Sequence, residues 1–119
     1  MISNNLHNKK TKIIKFFKQK NFAEVIKTGS KLNKLIPNDE QLIYLLGLAS
    51  INTQNFSLAE KYFEKLILIK KSADIHYTLG NIQKKLKKFN NAIISFENAI
   101  KINPNFSEAY NNLGNTKKL

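Results

Sequence analysis

Histidine is the side chain in this sequence best suited to acid–base catalysis or metal binding, and its placement supports neither. The two histidines, His7 and His76, lie too far apart along the chain to suggest a local ligand pair. Cysteine is absent, which excludes disulfides, thiolate metal sites and cysteine nucleophiles. We therefore predict no catalytic residue and no metal site.

The eight acidic residues do not form a catalytic pair either. Four of them stand where helices are predicted to begin, and there a negative charge is favourable against the helix dipole. These are Asp39, Glu40, Asp74 and Glu108. The sequence also has no phosphate-binding loop, dinucleotide glycine fingerprint, GxSxG motif or metal-binding helix motif. We predict that the chain is not an enzyme and binds no cofactor.

The chain carries a formal net charge of +12, and all twenty of its basic residues are lysine. Arginine, whose planar fork suits bidentate contacts to phosphate and guanine, is missing. Lysine, asparagine and isoleucine have AT-rich codons, so genome composition could account for the lysine excess. The sequence predicts a solvated lysine surface that attracts anions nonspecifically, without specific nucleic-acid recognition.

The N-terminal segment has neither the apolar core of a secretory signal nor the arginines of a mitochondrial transit peptide. The longest apolar stretch, near residues 42–51, is interrupted by Gly47 and Ser50. It is much shorter than the roughly 20 residues of a membrane span. We predict no membrane span and a cytoplasmic location, since a chain without cysteine needs no oxidising compartment.

Small, aromatic and proline residues recur along the chain with a period of 33 or 34 residues. The recurring sets are Gly47 and Gly80, Ala59 and Ala92, Phe63 and Phe96, Leu79-Gly80 and Leu113-Gly114, and Phe22, Phe56 and Phe89, with Pro37 and Pro104 two periods apart. A glycine inside a helix needs a packing reason. We expect Gly80 and Ala92 to be small because two helix backbones approach closely there. The prolines are expected to end helices.

This spacing resembles the tetratricopeptide repeat (TPR), a 34-residue helix–turn–helix with Leu-Gly in its first helix, Ala–Phe–Ala in its second and a proline near its end. The resemblance implies an all-α fold, an α-solenoid of about three and a half repeats with seven helices. It implies a single domain over residues 1–119, in which stacked repeats form a concave side. The repeats are placed at about 6–39, 40–72 and 73–106, followed by a half repeat at 107–119.

The predicted helices lie near residues 5–19, 22–35, 39–53, 56–70, 73–86, 89–102 and 107–118. Phe63 and Phe96 are expected to be buried at repeat junctions, and His76 to pack between helices. The first repeat departs from the pattern, and we expect looser packing of its helices. There Ile13 replaces the glycine, Val25 the alanine and Gly29 the phenylalanine. In the third repeat Gln83 stands where the family often has tyrosine.

The family's ligand groove is lined mainly by the first helix of each repeat. Carried over to this sequence, the resemblance predicts peptide-binding residues at Tyr44, Leu48, Tyr77, Asn81, Lys84, Asn111 and Asn115. Amides can hold a peptide backbone, tyrosines offer rigid contact area, and lysines favour acidic partners. The predicted function is a protein-interaction module or scaffold that binds a protein or an extended peptide, with acidic peptides favoured.

Other functions stay open. The chain could be the substrate-docking arm of a longer sulfo-, glycosyl- or methyltransferase, or could bind nucleic acid nonspecifically through its lysines. The family's carboxylate clamp for chaperone peptides has a lysine and an asparagine one turn apart on the first helix, with further asparagine and basic residues on later repeats. This set is not present, because Lys10 is followed one turn later by Ile14, and Asn81 is preceded one turn earlier by Tyr77. Another recognition pattern of the family has an asparagine directly before Leu-Gly in successive repeats, and here only Asn112 matches it. The half repeat keeps interior-type Tyr110 and Leu113 and no cap substitutions, which favours a fragment of a longer protein. Self-association through the open C-terminal repeat is a further alternative.

Overall fold

The computed structural model describes residues 2–119, with side chains from residue 4 onward. Within those residues the chain forms seven α-helices and no strand, which confirms the predicted all-α class. The helices are α1 (Ile2–Lys18), α2 (Phe22–Leu35), α3 (Glu40–Asn52), α4 (Phe56–Ile69), α5 (Ala73–Lys85), α6 (Phe89–Ile102) and α7 (Ser107–Lys117). Pro37 and Pro104 both lie just beyond helix ends, since α2 stops at Leu35 and α6 at Ile102.

The chain divides into two compact units, which we describe separately. Unit 1 comprises residues 1–62 and unit 2 comprises Phe63–Leu119, so the boundary falls within α4. In unit 1, α2 packs on α1 and on α3, and α1 also touches α3. In unit 2, α6 packs on α5 and on α7. Within unit 2, the short connections make α5 and α6, and α6 and α7, antiparallel, so α5 and α7 run in the same direction.

The turns that follow α1, α3 and α5 share one backbone geometry. Each contains a non-glycine residue in the left-handed region, Lys20, Gln54 or Lys87, with φ of 59°, 60° and 61°. In each turn the next N–H donates to a carbonyl five residues earlier. The pairs are Asn21 with Phe16 at 2.9 Å, Asn55 with Ser50 at 2.8 Å, and Lys88 with Gln83 at 2.8 Å. This bond defines a Schellman motif. The repeat period thus extends to the backbone conformation of the turns.

Replacing Lys87 by glycine should raise the free energy of unfolding by about 0.5–1 kcal/mol. A non-glycine residue in this conformation costs about 1–2 kcal/mol, and a glycine loses about 0.5–1 kcal/mol more backbone entropy on folding. Urea unfolding monitored by circular dichroism would measure the shift. Lys85→Gly is the control, because Lys85 ends α5 with ordinary helical backbone and the change there should destabilise. A loss of stability in Lys87→Gly would contradict the prediction.

Unit 1 exchanges a large and a small side chain relative to the repeat pattern. Ile13 stands at the glycine position and is 2% exposed. Gly29 stands at the phenylalanine position and is buried against α3, where a Cβ would lie 2.8 Å from Leu46 Cδ2. The leucines of α3 therefore occupy the space that an aromatic ring on α2 would need. The first repeat keeps a buried core because leucines of α3 fill the place beside Gly29 and Ile13 is itself buried.

Asp39 joins the start of α3 to α1. Its Oδ1 accepts a hydrogen bond from the backbone N–H of Leu42 at 2.9 Å, which satisfies one of the unpaired donors at the helix start. Its Oδ2 accepts from Lys10 Nζ at 3.0 Å. Asp39 thus stands at a helix start, as predicted, and caps it. Lys10, which the family pattern places in the groove, is instead engaged in an ion pair within unit 1.

The core of unit 2 forms around Phe96 on α6, which is fully buried, as is Phe63 on α4, as predicted. The structure shows a second reason for the glycine at position 80. A Cβ at Gly80 would lie 2.6–2.9 Å from three atoms of the Phe96 ring, so the glycine makes room for this ring. The nearest obstacle is therefore an aromatic side chain on α6, and not the facing backbone near Ala92.

Candidate functional site

In unit 2, a side-chain hydrogen bond aligns α5 and α7. Asn112 Nδ2 on α7 donates to the Tyr77 hydroxyl on α5 at 2.8 Å. This bond places residue 112 beside residue 77. Asn81 and Asn115 lie one turn beyond Tyr77 and Asn111, respectively. The four residues Tyr77, Asn81, Asn111 and Asn115, which the sequence predicts to share one face, are called the α5–α7 surface.

Tyr77 is a structural member of this surface as well as a candidate contact. Its ring centroid lies 4.8 Å from that of Phe106 and 5.9 Å from that of Phe96. It also packs against the buried cluster of Ala99, Phe106 and Ala109. With its hydroxyl bonded to Asn112, the half-buried Tyr77 helps to hold α5, α6 and α7 together. A ligand would reach only its exposed edge.

The asparagines of the α5–α7 surface are more accessible. Asn111 and Asn115 on α7 are exposed, and Asn81 on α5 is half-buried. Each amide supplies donors and an acceptor, which is the combination that an extended peptide backbone requires. Lys84, also half-buried, lies in the last turn of α5. These four predicted site residues lie in unit 2, on the helices aligned by the Asn112–Tyr77 bond.

Charge is distributed unevenly along the α5–α7 surface. The first turns of α5 and α7 contain Asp74 and Glu108, whereas the last turns contain Lys84, Lys85 and Lys117. These positions complement the helix dipoles. Because the two helices are parallel, both acids lie near one end of the surface and the lysines near the other. An extended ligand with an acidic terminus would therefore be oriented with that terminus toward the lysines.

Tyr44 and Leu48, the other two predicted site residues, lie on α3 in unit 1. Tyr44 is 43% exposed and Leu48 is half-buried, whereas Leu42, Ile43 and Leu46 on the same helix are fully buried. Both residues thus lie outside the core of α3. That they belong to one ligand surface with the residues of unit 2 stays a prediction.

Sequence reasoning missed two polar contacts. Asn112 was considered only as a match to the family's asparagine before Leu-Gly, whereas its side chain donates a hydrogen bond to the Tyr77 hydroxyl. Sequence reasoning noted Gln83 as a departure, but not that this residue is buried and that its Oε1 accepts a hydrogen bond from Ser95 Oγ at 2.6 Å. For the Asn112–Tyr77 contact, the sequence offered only the spacing of 35 residues, which is close to one repeat. For the Gln83 contact, it offered only a serine, Ser95, on the facing helix.

His76 on α5 has an unusual environment. Its Nδ1 is buried and has no hydrogen-bond partner among the residues that the structure describes. Burial lowers the pKa of His76 below its ordinary value, because desolvation disfavours the charged imidazolium. No group of three or more histidine, aspartate or glutamate side chains in the described part of the chain could hold a metal ion with it. The surroundings indicate a packed neutral imidazole.

Acidification should destabilise the fold through His76. Its pKa is lower in the folded state than in the unfolded state, so the unfolded chain binds the proton more readily. This destabilisation is absent well above pH 6.5. As the pH falls through about 6.5, the free energy of unfolding decreases by no more than about 1.4 kcal/mol per pH unit. Urea midpoints of wild type and His76→Gln, measured from about pH 7.5 to 5.5, would reveal it. The difference between the two curves should change with pH. Parallel curves for His76→Gln and wild type would contradict the prediction.

In the described residues, every helix is too short or too polar to cross a membrane.

Three stretches of the sequence match the tetratricopeptide repeat family, over residues 40–72, 73–106 and 95–118. Together they extend from residue 40 to residue 118, more than half of the 119 residues. The first two matches coincide with the second and third repeats read from the sequence. Among curated proteins, none is significantly similar to this chain.

Solved structures with the same fold include a crystal structure of the MamA protein, with a TM-score of 0.89 and 21% identity. It is matched over 98% of this chain and 64% of its own length. The first TPR of Spaghetti (RPAP3), bound to an HSP90 peptide, has a TM-score of 0.81 and 23% identity. The match covers 98% of this chain and 93% of that structure. The Yersinia enterocolitica type III secretion chaperone SycD, in complex with a peptide of the translocator YopD, has a TM-score of 0.82 and 12% identity, with coverage of 96% and 93%. This chain thus spans about two thirds of the MamA structure.

Proposed function

Because the chain belongs to the tetratricopeptide repeat family, we propose that it is a protein-interaction module that holds an extended peptide of a partner protein on the α5–α7 surface. The observation that carries the proposal is the hydrogen bond between Asn112 and Tyr77, because it links α5 and α7, the two helices that carry Asn81, Asn111 and Asn115. The proposal assigns no chemical reaction to this chain.

The backbone of an extended peptide presents alternating donors and acceptors, and the amides of Asn81, Asn111 and Asn115 can pair with both. The exposure of Asn111 and Asn115 leaves their amides open to a ligand. The neighbouring lysines favour a peptide with acidic side chains or a terminal carboxylate. Similar folds solved with peptides, from HSP90 and from YopD, support this mode of use. We propose an acidic extended peptide as the ligand class.

Tyr44 and Leu48 would provide further contact area on α3. Both lie outside the core of their helix, and Tyr44 supplies a rigid aromatic surface at low entropic cost. The positions of Tyr44 and Tyr77 differ by 33 residues, which is the local repeat period. In the proposed function the two tyrosines have corresponding roles in their units.

A panel of fluorescent peptides of about ten residues, acidic, neutral and basic, would test the proposal by anisotropy. We expect acidic peptides to bind most tightly. Asn81→Ala/Asn115→Ala should weaken binding about tenfold, because each lost hydrogen bond is worth about 0.5–1.5 kcal/mol. These changes leave the Tyr77 packing intact, which a change at Tyr77 itself would not.

The matched control is Asn90→Ala/Asn91→Ala, which removes two exposed amides from the start of α6. Its peptide affinities should equal those of wild type. The proposal fails if the control and the test variant behave alike, or if no peptide in the panel binds more tightly than about 1 mM.

A further inference from the structure

Unit 1 has an apolar groove between α1 and α2, away from the residues predicted from the family pattern. It is lined by Lys9, Lys12, Ile13, Thr28, Lys31, Leu32 and Leu35. Ile13 and Leu32 are almost fully buried and form its floor, whereas Leu35 is 60% exposed at the end of α2. The groove therefore joins the core of unit 1 to an exposed leucine.

The polar residues of this groove are three lysines and one threonine, with no acid among the lining residues. Lys12 and Lys31 are exposed, and the Lys12 ammonium lies 6.0 Å from the centroid of the Phe16 ring on its own helix. Lys10, between Lys9 and Lys12 in sequence, is neutralised by Asp39. The lining itself thus contributes three positive charges and no negative one.

The volume of the groove, about 260 Å³, restricts its occupant. Sites that enclose drug-sized molecules measure roughly 300–1,000 Å³. A smaller, open groove instead suits the apolar side chains of one or two residues on a partner segment. Two leucines one turn apart on a helix would extend along such a groove between two antiparallel helices.

We infer that the α1–α2 groove binds an acidic amphipathic helix of a partner protein, with leucine-type side chains on the apolar floor and carboxylates against Lys9, Lys12 and Lys31. Charge complementarity carries the choice of occupant. A second copy of this chain is disfavoured, because each copy has a net charge of +12. This inference concerns unit 1 and does not depend on the function proposed for the α5–α7 surface.

The probe is a side-chain-bridged helical peptide of about 14 residues, with leucines one turn apart and glutamates on both sides of them. The charge-reversed peptide has lysines in place of the glutamates. We expect the acidic peptide to bind, and the charge-reversed peptide to bind at least about tenfold more weakly. In methyl NMR spectra, the acidic peptide should shift the signals of Ile13, Leu32 and Leu35.

Two variants test the groove itself. Leu35→Asp, at an exposed site that the fold should tolerate, is expected to weaken the acidic peptide at least about tenfold. Lys12→Glu/Lys31→Glu should weaken it similarly and reduce the salt dependence of binding. The matched controls are Leu68→Ser, at a leucine that is 86% exposed in unit 2, and Lys27→Glu/Lys34→Glu, at exposed lysines of α2 outside the groove. Both controls should bind as wild type does.

Several results would overturn the inference. One is unchanged binding by Leu35→Asp, and another is a control that loses as much affinity as its test variant. NMR shifts confined to α5 and α7 would place the peptide on the other surface. Sedimentation that detects a dimer lost in Leu35→Asp would make a second copy the occupant. Binding of anionic vesicles, lost in Leu35→Asp while the peptide does not bind, would make a membrane surface the occupant.

Discussion

Replacing Phe96 by alanine is expected to lower the free energy of unfolding by about 3–5 kcal/mol. Phe96 is fully buried, its ring lies 5.9 Å from that of Tyr77, and it occupies the space left by Gly80. Truncation would leave a cavity that these neighbours cannot fill without moving. Since small domains are stable by only about 5–15 kcal/mol, this single change would remove much of the stability of the fold.

The measurement is urea unfolding of Phe96→Ala and of a milder variant, Phe96→Leu, which guards against complete loss of the fold. Phe96→Leu should lose clearly less, because leucine fills part of the space. The control is Ile94→Ala on the same helix. Ile94 is 58% exposed, so its loss should stay within about 0.5 kcal/mol. A loss below about 1 kcal/mol for Phe96→Ala would mean that its ring does not hold unit 2 together.

The helices could be read from the sequence because their signals are local. Glycine, alanine and phenylalanine recur at a fixed period, and Pro37 and Pro104 follow helix ends. The ranges predicted for the second and sixth helices agree with α2 and α6, and the largest difference at any helix end is three residues, at the start of α1. Each such signal depends on residues close together in the chain, which is what a single sequence reports.

The contacts between helices were harder to predict, because residue type does not reveal which neighbour fills a space. Gly80 was correctly read as a close-packing position, yet the Phe96 ring, and not a backbone, approaches it most closely. Gly29 appeared to be a defect of the first repeat, but Leu46 of the next helix fills its place. Such exchanges of volume between helices become visible only in three dimensions.

For the candidate site, the sequence indicated the helix face but not the hydrogen bonds on it. Tyr77 and Asn81 were placed on the first helix of a repeat, where they lie, and both are partly accessible. The Asn112 bond and the contacts with Phe96 and Phe106 make Tyr77 part of the packing as well. These partners come from α6, from α7 and from the residue before α7, and no period along one helix could have predicted them.

Introducing isoleucine at Gly80 should destabilise the protein by about 3 kcal/mol, at the upper end of the range for overpacked cores. Its Cβ would lie 2.6–2.9 Å from the Phe96 ring, closer than nonbonded carbon atoms can approach. Phe96 is fully buried and has little room to move.

Two other helical glycines, Gly29 and Gly114, provide controls with alanine. A Cβ at Gly29 would lie 2.8 Å from Leu46 Cδ2, 3.4 Å from Leu46 Cγ and 3.6 Å from Leu42 Cδ1, whereas a Cβ at Gly114 meets nothing within 4 Å. Gly29→Ala should therefore destabilise less than Gly80→Ile, because only the end of one side chain must shift, and Gly114→Ala should stabilise by up to about 1 kcal/mol.

The exchange seen in the first repeat suggests how the Gly80 variant can be rescued. There an isoleucine occupies the glycine position and a glycine the phenylalanine position, and Ile13 is nevertheless 2% exposed. In Gly80→Ile/Phe96→Ala, the new isoleucine should enter the space vacated by the ring and relieve its own clash. The double variant should therefore lose less stability than the sum of the single variants, by about 1–3 kcal/mol. A double-mutant cycle in urea measures this coupling. If the two losses simply add, Gly80 and Phe96 do not share one space, and the glycine has another role in the packing of α5 against α6.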